Sequence, residues 1–506
     1  MRRHRLSLTA LLFVAAVVLP LPAAALDDAS FEKNLTIHKL PNGLTFLIYR
    51  RPVAPVFSFF TYVDVGGAQE VPGITGLAHM FEHMAFKGTT VIGTKDYAAE
   101  KKALARVDET YHAYDALRRA PGGSDPAKLE AASKAFKEAQ EAADAFIEKN
   151  EFSRIVDREG GVGMNASTSS DRTVYYYSLP ANKLELWAYL ESSRFLDPVF
   201  REFYKERDVV MEERRLRTES TPNGRLFEQF GATAFSAHPY KQPVVGYMSD
   251  LQAFTREDAE TFYRKYYVPS NITIAIVGDL KAEEVIPIVN TYFSRLPAGP
   301  KPEPLRTVEP QQTAEKTVVL LDPSQPVYLE GYHRPEASHP DDAVYDVIAD
   351  VLSTGRTSRL YRSLVRDKKI AAGAGIFNGY PGIKYPMLIL ARAIPSPGHT
   401  NEEVQSAIRE QLERLKTEPL TDDELAMVKT RAKAGLIRGM DDNGGIAAQL
   451  ATAQALQGDW REIFRYIERL DKVTKEDVMR VAKATFVPNN RTVGMIEHAE
   501  TASAAK

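Results

Sequence analysis

Residues 255–277 read TREDAETFYRKYYVPSNITIAIV, and residues 474–496 read TKEDVMRVAKATFVPNNRTVGMI. Aligned without a gap, Thr255, Glu257, Asp258, Val268, Pro269, Asn271 and Thr273 meet Thr474, Glu476, Asp477, Val487, Pro488, Asn490 and Thr492. Each copy predicts an amphipathic helix capped by Thr with acids in its first turn, then a Pro-Asn turn, then a β-branched strand. Self-similarity on this scale makes the chain a duplication of one unit mixing helices and strands.

A weaker match sets GLAHMFEHMAFKG, 76–88, against VYDVIADVLSTG, 344–355, at a larger offset, so the first unit carries about 49 extra residues. They lie between Tyr97 and about Asn150, where Ala, Lys and Glu dominate. Tyr97, Leu104, Val107, Tyr111 and Tyr114 form one apolar stripe, and Leu129, Ala132, Phe136, Ala139 and Ala143 another. APGGSDP, 120–126, separates them, which predicts an inserted antiparallel helical hairpin, read as a solvated buttress. LPAGPKPEP, 296–304, has the proline density of an exposed linker. The expected organisation is α+β: an N-terminal domain over 30–295 with the hairpin at about 97–150, a linker at 296–306, and a homologous C-terminal domain over 307–500. Each domain is expected to be an α/β sandwich with its own core.

At 506 residues and 44% apolar content, the chain is long enough for two such cores. Arg2, Arg3 and Arg5, the run LSLTALLFVAAVVLPLP and Ala23–Ala25 form the pattern of a secretory signal, with cleavage expected after Ala25 and a periplasmic or extracellular mature chain. No later stretch is apolar over a spanning length, so no membrane span is expected in the mature chain. The absence of cysteine excludes disulfides and thiolate metal sites. A net charge of −3, without a basic run, gives no footprint for nucleic acid.

On a helix, residues at i, i+3 and i+4 share a face, so His79, Glu82 and His83 converge. Two neutral imidazoles can bind zinc while the carboxylate handles the proton of a water. Leu77, Met80, Phe81 and Met84 surround them, and polar groups among large apolar ones need partners once buried. A hydrolytic zinc site takes a third protein ligand, and KERDVVMEERRLRTES, 205–220, is the best source. Glu206 and Glu213 lie two helical turns apart on one face, Glu212 is the alternative ligand, and Val209 and Val210 are expected to face the core. A plain charged surface helix, with Glu212 and Glu213 against Arg215 and Arg217, is the competing reading of this segment.

HxxEH, then GGVGMNASTSSDRTVYYYSLP at 160–180, ERDVVMEE at 206–213 and AFSAHPYKQPVVG at 234–246, together resemble the inverzincin metallopeptidases: pitrilysin, insulin-degrading enzyme and the mitochondrial processing peptidase. The resemblance spans 35–497 and is closest to the bacterial processing-peptidase-like branch. It implies a clamshell of two homologous domains with peptide bound between them, one Zn2+ on His79, His83 and Glu213, Glu82 as general base, and Glu206 as a supporting carboxylate. It also implies that NASTSSDRTVYYYSL, 165–179, is an edge strand on which substrate adds as an extended strand, with Asn165 and Ala166 closest. Tyr175 to Tyr177 read as ordinary strand residues and His238 as a structural histidine of a turn.

Single-chain members of that family supply an arginine and a tyrosine from the second half. Here LVRDKKIAAGAG, 364–375, keeps Arg366, the tyrosine position falls near Ala372 or Gly373, and no tyrosine follows until Tyr380. Val347 and Val351 stand where His79 and His83 do in the first half, so the second carries no metal site. The expected function is a zinc endopeptidase of unfolded peptides or short polypeptides, acting as the catalytic subunit of a heteromer whose homologous partner supplies the Arg/Tyr pair. The alternative from another class is a non-catalytic assembly or binding subunit.

Overall fold

The structure is a computed structural model that describes residues 28–499; the signal segment 1–25 lies outside them. Eleven strands form two sheets. Strands β1 (Leu35–Lys39), β2 (Thr45–Arg50), β3 (Val56–Val63), β4 (Val162–Thr168), β5 (Thr173–Pro180) and β6 (Ile272–Gly278) make the first, in the order β1-β2-β6-β3-β5-β4. Strands β7 (Lys316–Asp322), β8 (Val327–Arg334), β9 (Ala371–Tyr380), β10 (Met387–Pro395) and β11 (Arg491–His498) make the second, in the order β7-β11-β8-β10-β9. Without β1 the two orders coincide. In each, the last strand runs parallel to the first and antiparallel to the next: β6 beside β2 and β3, β11 beside β7 and β8.

The repeated segment folds alike in both halves. Thr255 and Asp258 form a reciprocal capping box at Arg256–Tyr266, and Thr474 and Asp477 form the same box at Lys475–Thr485. Asn271 donates to Tyr266 O at 2.9 Å and Asp64 O at 3.2 Å, while Asn490 donates to Thr485 O at 3.0 Å and His333 O at 2.9 Å. One amide thus ties the end of the helix to the end of the neighbouring strand, twice.

The hairpin consists of helices Tyr97–Arg118 and Pro126–Asp144. It docks on the helix Phe203–Arg214: Arg207 lies over the rings of Tyr111 and Tyr204 and donates to the Tyr111 hydroxyl at 2.5 Å.

The expectation that each half keeps its own core holds for one face of each sheet only. On the other face the halves exchange a helix. Asn443–Gln457, from the second half, sets Ile446, Ala447, Leu450 and Ala451 against Phe60, Tyr62, Ala275 and Val277 of the first sheet. Pro222–Ala234, from the first half, sets Leu226, Phe230 and Ala234 against Leu329, Leu388 and Ile496 of the second. Phe230 lies so close that a Cβ on Gly331 or Gly494 would sit 2.8 Å from its ring, which is why both strands carry glycine there. Each fully buried Leu or Phe contributes about 1.5–3 kcal/mol, so the exchange joins the sheets into one body. The periodicity of each segment shows an apolar face without showing which sheet covers it.

Candidate metal centre

The helix Leu77–Met84 has only eight residues and no capping side chain at Gly76, too short to stand on its own backbone bonds. Its N-terminus is held from outside. The buried Glu70 carboxylate accepts from Gly76 N at 2.8 Å and Ala78 N at 2.6 Å, satisfying donors that a helix start leaves open. Burial pushes that carboxyl up to about 8, against the backbone N–H groups that favour its charged form. One turn earlier, Asp250 accepts from Gly73 N at 3.0 Å, Thr75 N at 3.2 Å and Thr75 Oγ1 at 2.7 Å.

Leu77, Ala78, Met80, Phe81 and Met84 enter the core, which leaves Glu82 and His83 half-buried on the opposite face with the more deeply buried His79. The helix Phe203–Arg214 packs against this one, burying Phe203, Tyr204, Arg207, Val210 and Arg214. Val210 faces the core as expected; Val209 does not, being 50% exposed. Its helical phase lies about 60° from that of Glu206, so it joins the outward face that Glu206 and Glu213 share. Glu212 points to solvent and pairs with Arg215 at 3.0 Å.

Glu213 reaches both imidazoles: Oε1 is 3.7 Å from His79 Nε2 and Oε2 is 3.3 Å from His83 Nε2. The two rings stand 4.9 Å apart and nearly perpendicular, and one ligand atom from each of the three residues falls within 4.8 Å of the others. Glu206 reaches the far side of the second ring, with Oε2 3.5 Å from His83 Nδ1. Arg217, largely exposed, rests on Glu213 at 2.6 Å. Among the described residues Glu82 forms no hydrogen bond or ion pair.

This donor set fits zinc, which favours imidazole nitrogen and carboxylate oxygen in a closed group of three with a further position open. Burial, opposed by Glu213, lowers the pKa of His79 and keeps its ring neutral, as ligation requires. The Nδ1 atom of that ring is buried without a hydrogen-bond partner, and Nε2 lies beyond hydrogen-bond reach of Glu213, the condition of an imidazole shaped for something other than a hydrogen bond. His83 is raised, chiefly by Glu206 and against its burial, so metal and proton compete there.

β4 is the last strand of its sheet, paired only with β5, and lies beside the HxxEH helix. Asn165 is exposed on it with its side chain turned back onto Ala166 N at 2.9 Å, and Ala166 is buried. Arg366 stands on the helical turn Tyr361–Asp367, more than half exposed, its guanidinium taken by Asp367 at 2.6 Å. Seven residues on, Gly373 lies on β9 with open space around its Cα. The hydroxyl of the half-buried Tyr380 donates to Phe227 O at 3.2 Å. His238 accepts from Tyr240 N at 3.2 Å through Nδ1 and is 2% exposed.

Three residues of this region carry no mark in the sequence reading. Asp250 acts from a distant point in the chain, and Glu70 acts across a loop from just before the helix, so neither falls on a helical or strand period. Lys87 is different: it sits four residues after His83, and Glu202 four before Glu206, so the helical spacing that singled out the ligands reaches both.

The family model described as Insulinase (Peptidase family M16) matches residues 46–114 and 145–247, passing over a stretch inside the hairpin, and the one described as Peptidase M16 inactive domain matches residues 253–432. The chain belongs to peptidase family M16. It is 28% identical to the zinc protease PqqE of Helicobacter pylori, over 96% of this chain and 98% of that protein. An uncharacterized zinc protease of Mycobacterium leprae is 24% identical over 88% of this chain and 87% of its own. Among solved structures, a protease from Helicobacter pylori superposes with a TM-score of 0.76 at 26% identity, covering 92% of this chain and 99% of the other.

Proposed function

We propose that this chain is a zinc endopeptidase of unfolded peptides or short polypeptides, with His79, His83 and Glu213 as ligands and Glu82 as general base. The observation that carries the reading is the convergence of both imidazoles on the Glu213 carboxylate, with Glu82 on the same helical face and the open edge of β4 alongside. Bound there, zinc supplies Lewis acidity toward a peptide carbonyl and toward water. Glu82, held by no other group, takes the proton of the attacking water and hands it to the leaving amine. The free backbone of β4 around Asn165 and Ala166 aligns an extended substrate by main-chain bonds.

The same proposal makes the chain one subunit of a heteromer in the periplasm. Arg366 engaged by Asp367, Ala372 or Gly373 at the tyrosine position and the Tyr380 hydroxyl engaged by Phe227 O support borrowing the Arg/Tyr pair from a homologous partner. The amino-terminal pattern of arginines, apolar run and alanines supports the location.

Cleavage of a peptide library by wild type and Glu82→Gln, with zinc measured in both, tests the chemistry. The variant is expected to keep one zinc per chain and lose about 10²–10⁴ in kcat; unchanged turnover would remove Glu82 from the role of base. Without stoichiometric zinc in the wild type, the non-catalytic reading replaces this one. Purification of the chain alone tests the heteromer: weak cleavage that a co-purifying homologous chain restores is expected, and full turnover as a monomer rejects it.

A further inference from the structure

We propose that Lys87 is a positioning residue of this centre, a cation that holds Glu206 onto the back of His83 and thereby sets the affinity of the site for a divalent metal. The inference rests on the metal-centre reading above. The HxxEH helix and the helix that answers it bring Glu82, Glu202, Glu206 and Glu213 around two imidazoles, a concentration of negative charge that needs a fixed counter-charge. Arg217 meets Glu213 from a largely exposed position, and Lys87 is the counter-charge held within the site. Its Nζ lies 3.1 Å from Glu202 Oε2 and closer still to Glu206 Oε1, leaving the other oxygen of Glu206 for His83 Nδ1 at 3.5 Å. Each of the three side chains is under one-fifth exposed, so the contacts are not those of a solvated pair.

The tautomer follows from this split. With Glu206 held at Nδ1, the proton of a neutral His83 sits on Nδ1, and the Nε2 lone pair is directed at Glu213 and the ligand cluster. Were Glu206 free to rotate, nothing on the far side of the ring would choose between the nitrogens.

The backbone around Lys87 is built to keep the ammonium in place. Arg201, fully buried, donates to Lys87 O at 2.6 Å, Thr89 O at 2.6 Å and Ile92 O at 2.9 Å, and its charge is met by the fully buried Glu100 at 2.7 Å. Gly88 makes this possible: at φ +99° it turns the chain, and a Cβ there would lie 2.2 Å from Ile92 O and 2.7 Å from Arg201 Nη1. On the other side, Glu202 adopts φ +56°, the left-handed region that costs a non-glycine residue energy and persists where its surroundings require it. The residue that carries this strain is the one whose carboxylate completes the grip on Lys87.

Metal binding by the full-length protein tests this without relying on turnover. Cobalt uptake by the metal-free wild type, Lys87→Met, Lys87→Arg, Glu206→Gln and the double variant is followed by visible absorption, with zinc affinity read by chelator competition. Lys87→Met is expected to weaken binding about 10–100-fold and to shift the cobalt bands, as loss of an outer partner does, and Lys87→Arg to recover most of it. Because Lys87 acts through Glu206, adding Lys87→Met to Glu206→Gln should cost nothing further. Wild-type affinity and bands in Lys87→Met, or additive losses in the double variant, overturn the inference and leave the metal centre standing. A wild type that binds neither metal overturns both. Should Lys87→Met not fold, the comparison of Glu206→Gln with a variant that combines Glu202→Gln, Lys87→Met and Glu206→Gln, in which none of the three charges is left alone, decides.

Discussion

The helix Leu77–Met84 and the helix Asp342–Ser353 occupy the same place in the two halves. Each follows the strand antiparallel to the closing strand of its sheet, and each packs against the edge strand, β4 or β9. The first is eight residues long, presents two histidines and a glutamate, and depends on Glu70 and Asp250 for its N-terminus. The second has twelve residues and sinks Val347, Ile348, Val351 and Leu352 into the core. Where one half spends the position on polar groups and holds its N-terminus with borrowed hydrogen bonds, the other adds to its apolar burial the pairs of Asp342 with Arg334 at 2.6 Å and Asp350 with Arg431 at 2.8 Å, and no side chain caps its start. A site on a duplicated fold therefore needs supports that its inert twin does without.

The sharpest way to break this contrast is to remove the support. Glu70→Ala leaves Gly76 N and Ala78 N buried at a helix start without acceptors, which should cost about 2–4 kcal/mol. Denaturant unfolding checks the cost, and zinc retention is expected to fall with it because His79 moves with the first turn. Glu70→Gln, which keeps one acceptor oxygen, should fall between. Unchanged stability would mean that the helix stands unaided, as its twin does.

The matched positions should respond differently, one in stability and the other in metal affinity. Val347 is fully buried, and Val347→Ala should cost about 1–3 kcal/mol by loss of packing. His79→Ala, at the corresponding place, removes a buried Nδ1 that has no partner, so the metal-free protein should change by less than about 1 kcal/mol while metal affinity collapses. Urea titration of both variants without metal, followed by zinc binding, separates the outcomes. A large loss on His79→Ala would make that histidine a core residue first and a ligand second.

What could be read in the sequence follows the same division. The duplication was legible because each copy carries its own cap, turn and β-branched run, and the contacts that make the cap and the turn lie within a few residues. The ligand faces were legible because the period of a helix places His79, Glu82 and His83 together, and Glu206 with Glu213. Val209 marks where the rule stops: the apolar stripe of its helix runs through Phe203, Val210 and Arg214, and a second valine beside it faces outward. The exchanged helices were hidden for a stronger reason. Pro222–Ala234 and Asn443–Gln457 show apolar faces that either sheet could cover, and the partner is chosen by tertiary fit, such as Phe230 over Gly331 and Gly494. Asp250 and Arg201 reach across the chain, and Glu70 reaches over a loop, so none of them leaves a period.

The smallest effect concerns the acids of the two partner helices. Phe203–Arg214 begins at Glu202 without a side-chain cap, and its first-turn Glu206 is engaged by Lys87 and His83. Its counterpart Asp422–Gly439 has a full capping box of Thr421 and Glu424, and Glu424 also takes a two-point bond from Arg359 at 2.8 Å on each oxygen. Arg359 first, then Thr421 N–H, hold the Glu424 carboxyl down to about 2 against its partial burial. A carboxyl depressed in the folded state stabilises the protein above its unfolded pKa, here about 4.5, and that contribution is lost as pH falls toward about 2. Glu424→Gln should cost about 0.5–1 kcal/mol at neutral pH, as expected for a partly exposed pair with a cap, and the gap from wild type should close between about pH 4.5 and 2. Thermal unfolding of both proteins across that window measures it. A gap that stayed constant into acid would mean that the Glu424 charge does no capping, and that the second half, like the first, uses its helix-start acids for something other than holding the helix.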